Sequence, residues 1–341
     1  MNFDVLLVGR KYGHTDELHS RIYSTKRMRL IFKKGFLFYM EYQIRLFFFL
    51  LFHRSDILLS NDLDTLLPNY IVSKLGSRRL LYDSHEYFTG VPELQNRPLV
   101  RKIWKSIEKF IFPRLKKIYT VNQSIAELYA KEYNVHPQVI RNVPMYMDKP
   151  IANRKLLGLP EDQKILILQG AGINVDRGAE ELIMAMQYLT GFLLLIIGSG
   201  DVIGELKKRV VEYGLTDKVQ FIGRLPYSEL MSYTVCADLG LSLDKPNSIN
   251  YRLSLPNKLF DYIHAGIPVL ASPLKEVKHI IDAYQVGTCI ENHDSLHIAE
   301  RIKFIFSDMF AYTTWKSNTK AAAQELCWQN EEKVLQTLFF D

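Results

Sequence analysis

The hydrophobic positions of the first half of the chain fall into short, continuous apolar runs separated by helical patterns. The strand-type runs lie at residues 3–8, 56–60, 79–82, 117–121 and 138–141. The helical patterns lie at residues 35–52, 65–74, 101–115 and 124–132. Continuous apolar runs are typical of strands buried on both faces of a parallel sheet. The pattern therefore predicts an α/β domain, in which residues 1–60 form one strand–helix–strand unit.

The same alternation begins again in the second half. Strand-type runs lie at residues 164–169, 192–197, 218–222, 237–243 and 267–270, and helical patterns at 180–188, 294–308 and 319–338. Residues 144–154 hold two prolines and no periodicity, which is typical of a linker. The sequence thus predicts two doubly wound, Rossmann-like α/β domains that face a cleft, residues 1–147 and 155–310.

Composition narrows the class of protein. The chain has 341 residues, of which 48% are hydrophobic and 23% charged, as in an ordinary globular protein. A net charge of +6 suits anionic partners but is too small to indicate nucleic acid, so we expect none. The three cysteines are far apart and lack metal-binding spacing, which favours a reducing compartment. We see no signal peptide and no apolar run near the ~20 residues of a membrane span, and we expect a cytoplasmic protein.

The segment Ser254–Ser272 carries the clearest chemistry of the second half. Pro256 can open a helix, and the free N–H groups of that helix start, together with Asn257 and Lys258, form a candidate anion site. One turn later, Asp261 can accept hydrogen bonds from a sugar diol. A phosphate and a ribose at this spacing describe a nucleoside diphosphate. The alternative is a surface helix with a solvated Asp261, and the segment alone leaves both open.

Two glycine-containing loops follow strands of the second half. In the first, Gly170 and Gly172 allow the backbone to approach a phosphate, and Arg177 can bind it through two parallel hydrogen bonds. In the second, Gly198 and Gly200 lie close to the spacing of a dinucleotide site, but the third glycine comes one residue too late. We interpret the second loop as a tight strand-to-helix turn.

Polar side chains also follow the predicted strands of the first half. Arg10 ends the first strand, and Asp62 and Asp64 follow the second. An Asp-x-Asp pair can bind Mg²⁺ or Mn²⁺, but here we favour a helix cap or an acceptor-facing role, and no metal. The third strand ends in Asp83-Ser84-His85-Glu86, which offers carboxylates, an imidazole and a candidate base. A structural role for His85 is the alternative.

Residues 26–54 combine basic and aromatic side chains. This composition is typical of a peripheral contact with an anionic membrane. The favoured alternative is that Phe36–Phe52 is a crossover helix buried against the sheet. Both can hold if the basic loop 26–34 stays exposed.

Three stretches resemble one known family. PNKLFDYIHAGIPVLAS, DSHEYFTGVPEL and the glycine-rich loop with Arg177 before Gly178 are similar to the donor-binding segments of GT-B fold glycosyltransferases of the retaining, GT4-like type, the glycosyl transferases group 1. The resemblance implies a nucleotide-sugar donor on the second domain and an acceptor on the first. It also implies that residues 311–341 are helices that cross back toward the N-terminal domain.

The resemblance assigns roles to single residues. Asp261, five residues before the glycine of the G-x-P turn, would hold the donor ribose, and Arg224 would lie beside the base. Catalysis would depend on His85, which orients the donor sugar, and on Arg177 and Lys258, which stabilise the leaving diphosphate. Since these cations supply positive charge, no metal and no cofactor are expected.

Two positions depart from the family pattern. Ala171 stands where an arginine usually follows the first glycine, and Leu253 stands where many members have a glutamate near the donor sugar. Taken as a whole, the resemblance leads us to expect a hexosyltransferase of polysaccharide biosynthesis that acts on a glycan or lipid-linked acceptor. If residues 26–54 contact the membrane, the protein would work at its inner face. A GT-B-type sugar-nucleotide epimerase and a non-catalytic nucleotide-sugar-binding subunit are the alternatives. Spacing rules do not identify the base, the sugar, the linkage or the acceptor.

Overall fold

The computed structural model of the chain describes residues 3–11, 21–95 and 97–340. The chain divides into two compact units. Unit 1 comprises Met1–Val121, Ile125–Val139 and Leu335–Asp341, and unit 2 comprises Asn122–Ser124 and Ile140–Val334.

Unit 1 contains two parallel sheets. Its strands are β1 (Leu6–Arg10), β2 (Ser24–Met28), β3 (Ile57–Asn61), β4 (Arg79–Ser84), β5 (Lys117–Thr120) and β6 (Gln138–Val139). The helices up to residue 139 are α1 (Gly35–Phe52), α2 (Leu63–Leu75), α3 (Pro92–Gln95), α4 (Pro98–Ile111) and α5 (Gln123–Tyr133). Strands β3, β4, β5 and β6 form one sheet in that order, and β1 pairs with β2 in the other.

The predicted strand–helix–strand unit over residues 1–60 is wrong. Strand β1 pairs with β2, with Leu6 opposite Ser24, whereas β3 pairs with β4, with Ile57 opposite Arg79. Strand β2 was not predicted because its sequence, STKRM, has one apolar residue and is mostly exposed. A strand without a hydrophobic pattern gives no periodic signal.

Helix α1 is amphipathic in its packing, although nearly all of its residues are apolar. Every fourth side chain from Phe38 to Leu50 is buried, and this row packs against Leu58 of β3 and Val72 of α2. By length and composition α1 could also cross a membrane, contrary to our expectation from the sequence, and 28% of it is buried within the protein. A core helix of a soluble protein passes the same test.

Unit 2 is built on one six-stranded parallel sheet. Its strands are β7 (Lys164–Gly170), β8 (Phe192–Gly198), β9 (Val219–Ile222), β10 (Leu239–Ser242), β11 (Val269–Ala271) and β12 (Gly287–Cys289). Their order in the sheet is β12-β11-β10-β7-β8-β9. The strand order therefore reverses between β7 and β10, and in open α/β sheets ligands bind outside the carboxyl ends of the strands at such a reversal.

Helices pack against both faces of this sheet. The helices after β6 are α6 (Ala179–Ala185), α7 (Ile203–Glu212), α8 (Tyr227–Cys236), α9 (Ile249–Arg252), α10 (Asn257–Ala265), α11 (Lys275–Tyr284), α12 (Ser295–Ser307), α13 (Met309–Glu325) and α14 (Trp328–Phe340), of which α14 ends in unit 1. Alternate side chains of β7 enter two separate cores, Leu166 and Leu168 on one face and Ile165 and Ile167 on the other. Burial on both faces explains the continuous apolar runs of the sequence.

The predicted single helix over residues 319–338 is wrong. Helix α13 ends before Leu326, and α14 begins at Trp328. Leu326 leaves the helical conformation, buries its side chain completely, and accepts a hydrogen bond from His264 Nε2 at 2.8 Å through its carbonyl. This tertiary contact overrides the helical pattern of the sequence.

Candidate active site

The carboxyl ends of β7 and β10 carry the main polar cluster of unit 2. The two strands are neighbours, with Gly240 opposite Ile167. Strand β7 runs into the glycine-rich loop at Gly170, and Asp244 follows β10 by two residues. The cluster therefore lies at the reversal of strand order, where this fold class places its ligands.

Asp244 is the centre of this cluster. Its side chain is fully buried, and its carboxylate oxygens lie 3.3 Å from Lys258 Nζ and 3.4 Å from Arg177 Nη1. Burial lowers the pKa of Lys258, and the charge of Arg177 lowers it further, while Asp244 opposes both effects. Arg177 and Lys258 thus share the one carboxylate of Asp244, so the three side chains together carry a net positive charge in a region that is largely shielded from water. Electrostatic attraction for an anion is strongest in such surroundings.

Arg177 has hydrogen-bonding capacity in reserve. Its Nε–H group is buried and has no acceptor in the part of the chain that the structure describes. The guanidinium lies over the ring of Tyr251, 4.3 Å from the ring centre, so its orientation is fixed. A buried N–H group without an acceptor is costly, and the oxygen of an anionic ligand would satisfy it.

The backbone around Arg177 is held in an unusual conformation. Asp176 and Gly178 both have positive φ, 68° and 74°. A Cβ atom at Gly178 would lie 2.3 Å from the carbonyl oxygen of Leu243, so the glycine permits a close approach to the end of β10. This approach brings Arg177 to Asp244.

Helix α10 is packed inside unit 2. The side chain of Lys258, predicted to be part of an anion site, is only 11% exposed and is paired with Asp244. All residues from Leu259 to Ala265 are buried, which contradicts the alternative of a surface helix. Pro256 stands at the N-cap, as predicted, and Gly266 ends the helix with φ of +80°. Asn257 is the first residue of the helix.

Asp261 is buried and held from two sides. Its Oδ1 accepts a hydrogen bond from the Tyr227 hydroxyl and its Oδ2 accepts one from Gln169 Nε2, each at 3.0 Å. Burial raises the pKa of Asp261 to about 6, and the two hydrogen bonds act in the opposite direction. The group is therefore mostly ionised at neutral pH. Each carboxylate oxygen can accept a further hydrogen bond, as a sugar diol would offer.

The glycine loops serve two different purposes. A Cβ at Gly198 would lie 1.8 Å from the carbonyl oxygen of Gly170, and one at Gly200 would lie 2.0 Å from that of Ile173. These two glycines therefore let the turn after β8 press against the first loop, which confirms the interpretation as a tight turn. At Gly170 and Gly172 a Cβ would meet only ordinary contacts of 3.8–3.9 Å, so protein packing does not require glycine there.

Three residues of this site were missed from the sequence, and one predicted residue is apart from it. Asp244, Gln169 and Tyr227 were missed, although the position of Asp244 just after a strand is the signal that identified Asp83. Arg224 is exposed, and no described contact joins it to Asp244 or Asp261. Tyr227, three residues later, is the side chain of this loop region that reaches Asp261.

His85 is the centre of the polar cluster of unit 1. Its Nδ1 lies 3.2 Å from Asp62 Oδ2 and its Nε2 lies 3.0 Å from Asp83 Oδ2. The hydrogen bonds to Asp62 and then Asp83 raise the pKa of His85 to about 10. The ring is therefore a cation at neutral pH, with both nitrogens on carboxylates. It can donate a proton or position a ligand, but it is not a base at this pH.

Asp62, the first residue of the Asp-x-Asp pair, serves this cluster rather than a helix cap. Asp62 precedes α2 with φ of +57°, and its side chain makes no capping hydrogen bond. Instead it accepts one from the backbone N–H of His85 at 3.0 Å. Burial and the charge of Asp62 raise the pKa of Asp64 to about 6, while the charge of Arg10 opposes the shift. Among the described residues no group of three or more His, Cys, Asp or Glu has an arrangement that could hold a metal ion.

Glu86 stands apart from the carboxylates around His85. It is exposed, and its backbone carbonyl accepts a hydrogen bond from Ser84 Oγ at 2.8 Å. Glu86 also lines a groove of which Arg10 is another lining residue. The structure thus brings Asp62, Asp83 and His85 together and places Glu86 at the edge of the groove.

Comparison with known proteins identifies the family. Residues 151–322 match the model of the family described as glycosyl transferases group 1. The curated 2-deoxystreptamine glucosyltransferase of Streptomyces kanamyceticus is 26% identical over 183 residues, which cover 50% of this chain and 45% of that protein. The chain therefore spans about half the length of this curated relative.

Solved structures identify the fold. The sucrose-phosphate synthase of Thermosynechococcus elongatus superposes with a TM-score of 0.78 at 18% identity, over 99% of this chain and 88% of that one. Anabaena HepE, solved in complex with UDP-glucose, gives a TM-score of 0.72 at 16% identity, over 92% and 86%. The family match covers half of the chain, and the neighbours share its parallel α/β architecture. The chain belongs to the glycosyl transferases group 1 family and has the GT-B fold with Rossmann-like domains.

Proposed function

We propose that this protein transfers a hexosyl group from a nucleoside diphosphate sugar to a glycan or lipid-linked acceptor, with retention of configuration and without a metal. The observation that carries the proposal is the convergence of Arg177 and Lys258 on the buried carboxylate of Asp244, at the reversal of strand order. A net positive, desolvated pair of cations at that place suits a diphosphate.

The chemical role of this cluster is to stabilise the leaving group. As the bond between the sugar and the diphosphate breaks, negative charge develops on the phosphate oxygen. Arg177 Nε–H, Lys258 Nζ and the free N–H groups at the start of α10 are the donors that would meet it. Because the two side chains carry the positive charge, we propose that catalysis needs no divalent cation.

Asp261 is assigned to the ribose. Its carboxylate is oriented by Tyr227 and Gln169, so the remaining lone pairs have fixed directions. Pre-orientation lowers the entropic cost of binding a diol. The nucleoside and the diphosphate would then be held by one helix, α10, through Asp261 and Lys258.

For the transfer step we propose attack on the face that the diphosphate leaves. The acceptor oxygen forms the new bond to the anomeric carbon, the bond to the diphosphate breaks, and the acceptor proton passes to a departing phosphate oxygen. Leu253 stands where the family resemblance expects an acidic residue, so that position supplies no nucleophile. The imidazolium of His85 would orient the donor sugar by donating a hydrogen bond to it. For this, His85 must give up its contact with either Asp62 or Asp83.

The donor proposal is tested by calorimetric titration with UDP, GDP, ADP and dTDP. The complex of Anabaena HepE with UDP-glucose makes UDP the first probe. We expect one nucleotide to bind and Lys258→Met to weaken it by roughly ten- to hundredfold, the value of a hydrogen bond to a charged group. Lys278→Met is the matched control, because Lys278 pairs with Asp282 on the surface of the same unit. Absence of binding by all four nucleotides would refute the proposal.

Turnover separates the transferase from its alternatives. Incubation with the donor sugar and a mixture of acceptors, followed by NMR of the product, shows the anomeric configuration directly. We expect the donor configuration to be kept, and activity to survive chelation of divalent cations. Binding without turnover would favour the non-catalytic subunit, and a changed sugar on the nucleotide would favour the epimerase.

The exposed face of α1 supports a second part of the proposal, a peripheral contact with an anionic membrane through residues 26–54. Phe36, Ile44, Phe48 and Phe52 are exposed on α1, and Lys33 and Lys34 stand just before it. Apolar side chains flanked by cations are typical of interfacial helices. The contact would hold the protein at the inner face of the membrane.

The membrane contact is tested by co-sedimentation with vesicles. We expect wild-type protein to bind phosphatidylglycerol vesicles and not phosphatidylcholine vesicles, and we expect Phe48→Ser to reduce the bound fraction. Phe304→Ser removes a similarly exposed ring from unit 2 and should have no effect. Equal binding of both variants would contradict the assignment to α1.

A further inference from the structure

We propose that a groove in unit 1, between α1 and α4, binds one lipid molecule that carries a phosphate or diphosphate head group, with the hydrocarbon chain inside the groove. The role of this lipid as the sugar acceptor rests on the proposed function. The binding site itself rests on the groove.

The floor of the groove is aromatic and apolar. Trp104 of α4 is 4% exposed and makes edge-to-face contacts with Tyr39 and Phe88, each with ring centres 5.3 Å apart. Exposed Met40 and Ile103 form part of the two walls. The groove holds about 610 Å³, within the range of about 300–1,000 Å³ for small-molecule sites.

The rim of the groove is cationic. Arg10, Lys33, Lys34 and Arg97 line it, whereas Glu86 is the one acidic residue among its described lining residues. Arginine and lysine are the usual partners of phosphate oxygens. The groove therefore combines an apolar floor with a rim that attracts anions.

This combination selects an amphiphile. A free sugar phosphate would make no contact with the aromatic floor, and a neutral lipid would make no use of the positive charge of the rim. Each prenyl or acyl carbon that enters the groove is removed from water, which favours binding of the lipid. A lipid with a phosphate head satisfies both parts of the site.

The groove borders the chain segment that carries His85. Glu86, the neighbour of His85 in the sequence, lines the groove, and the charge of Arg10 acts on Asp64. A head group on the rim would thus bring its attached sugar hydroxyl toward His85. This continuity within unit 1 is what makes the lipid an acceptor candidate rather than a surface contact.

The groove overlaps in part with the proposed membrane-facing row of α1, because Lys33, Lys34 and Phe36 belong to both. Phe48 is exposed on the same helix and does not line the groove, whereas Met40 lines the groove and is not part of that row. Variants at these two positions therefore separate binding of a single lipid from binding of a bilayer surface.

The probe for the test is farnesyl diphosphate below its micellar concentration, followed by tryptophan fluorescence. Trp104 is the one tryptophan of unit 1, and the other two, Trp315 and Trp328, belong to unit 2. We expect saturable binding whose signal is lost in Trp104→Phe, with farnesol and inorganic pyrophosphate at least about tenfold weaker. Calorimetry of Trp104→Phe should show that the binding itself persists.

Two matched pairs of variants locate the site. Met40→Glu places a charge in the groove and Phe48→Glu places one on the same helix outside it, at similar exposures of 42% and 52%. Lys34→Glu changes the rim, and Lys102→Glu changes an exposed lysine of α4 outside it. We expect the first member of each pair to weaken binding by about tenfold or more and the second by less than about twofold.

The same samples, titrated with the nucleotide, keep the inference separate from the proposed function. Nucleotide binding without saturable farnesyl diphosphate binding overturns the lipid groove and leaves the proposed function standing. The groove is also overturned if the two variants of either matched pair lose farnesyl diphosphate affinity equally. Farnesyl diphosphate binding without nucleotide binding supports the groove as a lipid site and overturns its role as an acceptor site. Binding of pyrophosphate as tight as that of farnesyl diphosphate would also overturn the proposal.

Discussion

The two candidate sites of this protein are built on opposite physical principles. In unit 2 the functional groups are buried, charged and paired with one another, as Arg177 and Lys258 are with Asp244. In unit 1 the groove is open, apolar at the floor and charged only at the rim. The first arrangement suits a small, highly charged ligand, and the second suits an amphiphile.

The difference shows where selectivity can reside. A buried ion cluster holds a fixed geometry because each charge depends on its partners, so substitutions there affect stability and binding together. An open groove depends on shape and hydrophobic contact, so its residues can change with little cost to folding. We therefore expect the donor site to be intolerant of substitution and the groove to be tolerant of it.

The largest expected effect comes from Asp244→Asn. Without the carboxylate the charges of Arg177 and Lys258 face each other, and we expect the free energy of unfolding to fall by about 3 kcal/mol, the lower end for breaking a buried ion pair. Urea denaturation measures the loss. Saturating nucleotide should restore more stability to this variant than to the wild type, because its phosphates replace the missing charge.

The control for this prediction is Asp238→Asn. Asp238 pairs with Arg154 at 2.7 Å and also accepts a hydrogen bond from the backbone N–H of Ile165, away from the cation cluster. This variant should lose stability without the extra rescue by nucleotide. An equal rescue of both variants would show that Asp244 has no special relation to the ligand.

An intermediate effect is expected from the titration of Asp261. Its pKa is raised to about 6, so the carboxylate becomes protonated as the pH falls through that value. A protonated carboxyl accepts fewer hydrogen bonds from a diol, and nucleotide affinity should weaken by about tenfold between about pH 7 and about pH 5. Calorimetry across this range measures the change.

The comparison with Asp261→Asn isolates this group. The nucleotide phosphates titrate in both proteins, so only the excess pH dependence of the wild type belongs to Asp261. The variant should bind more weakly at neutral pH and approach the wild type at acidic pH. Parallel pH profiles would remove Asp261 from the ribose site.

The smallest effect is expected from the pH dependence of unit 1. The pKa of His85 is raised to about 10 by Asp62 and Asp83, so its protonated form stabilises the folded state. This contribution is complete below the unfolded pKa of about 6.5 and is lost as the pH rises toward about 10. Because the side chain is 45% exposed, solvent screening keeps the effect small.

The measurement is the difference in stability between the wild type and His85→Gln as a function of pH. Lysine and tyrosine titrations occur in both proteins and cancel in the difference. We expect the wild type to be the more stable near neutral pH and the two proteins to converge above about pH 10. A constant difference would show that the imidazolium charge does not matter.

The sequence predicted unit 2 well because its signals are local. Buried parallel strands give continuous apolar runs, and Pro256 and Gly266 mark the two ends of α10. The pairing of Lys258 with Asp244 could not be predicted in the same way, since the two residues are joined by tertiary packing. Buried polar groups in contact across elements leave no periodic trace.

Unit 1 was harder to predict for two physical reasons. Strand β2 is polar and exposed, so nothing in its composition distinguishes it from a loop. The groove is made by α1, α4 and the loop after β4, whose apolar residues have the same pattern as residues that face a core. Exposure, and not composition, separates Met40, which lines the groove, from Leu46, which lies in the core.

The turn after β8 has a consequence for how this protein can diverge. At Gly198 and Gly200 any side chain would collide with the backbone of the neighbouring loop, whereas Gly204 has open space around it. In a saturation library selected for folding, the first two positions should therefore accept only glycine and the third should accept most residues. The resulting sequence profile would resemble an incomplete dinucleotide-binding motif, although these glycines are required by the close approach of the neighbouring backbone and not by a ligand.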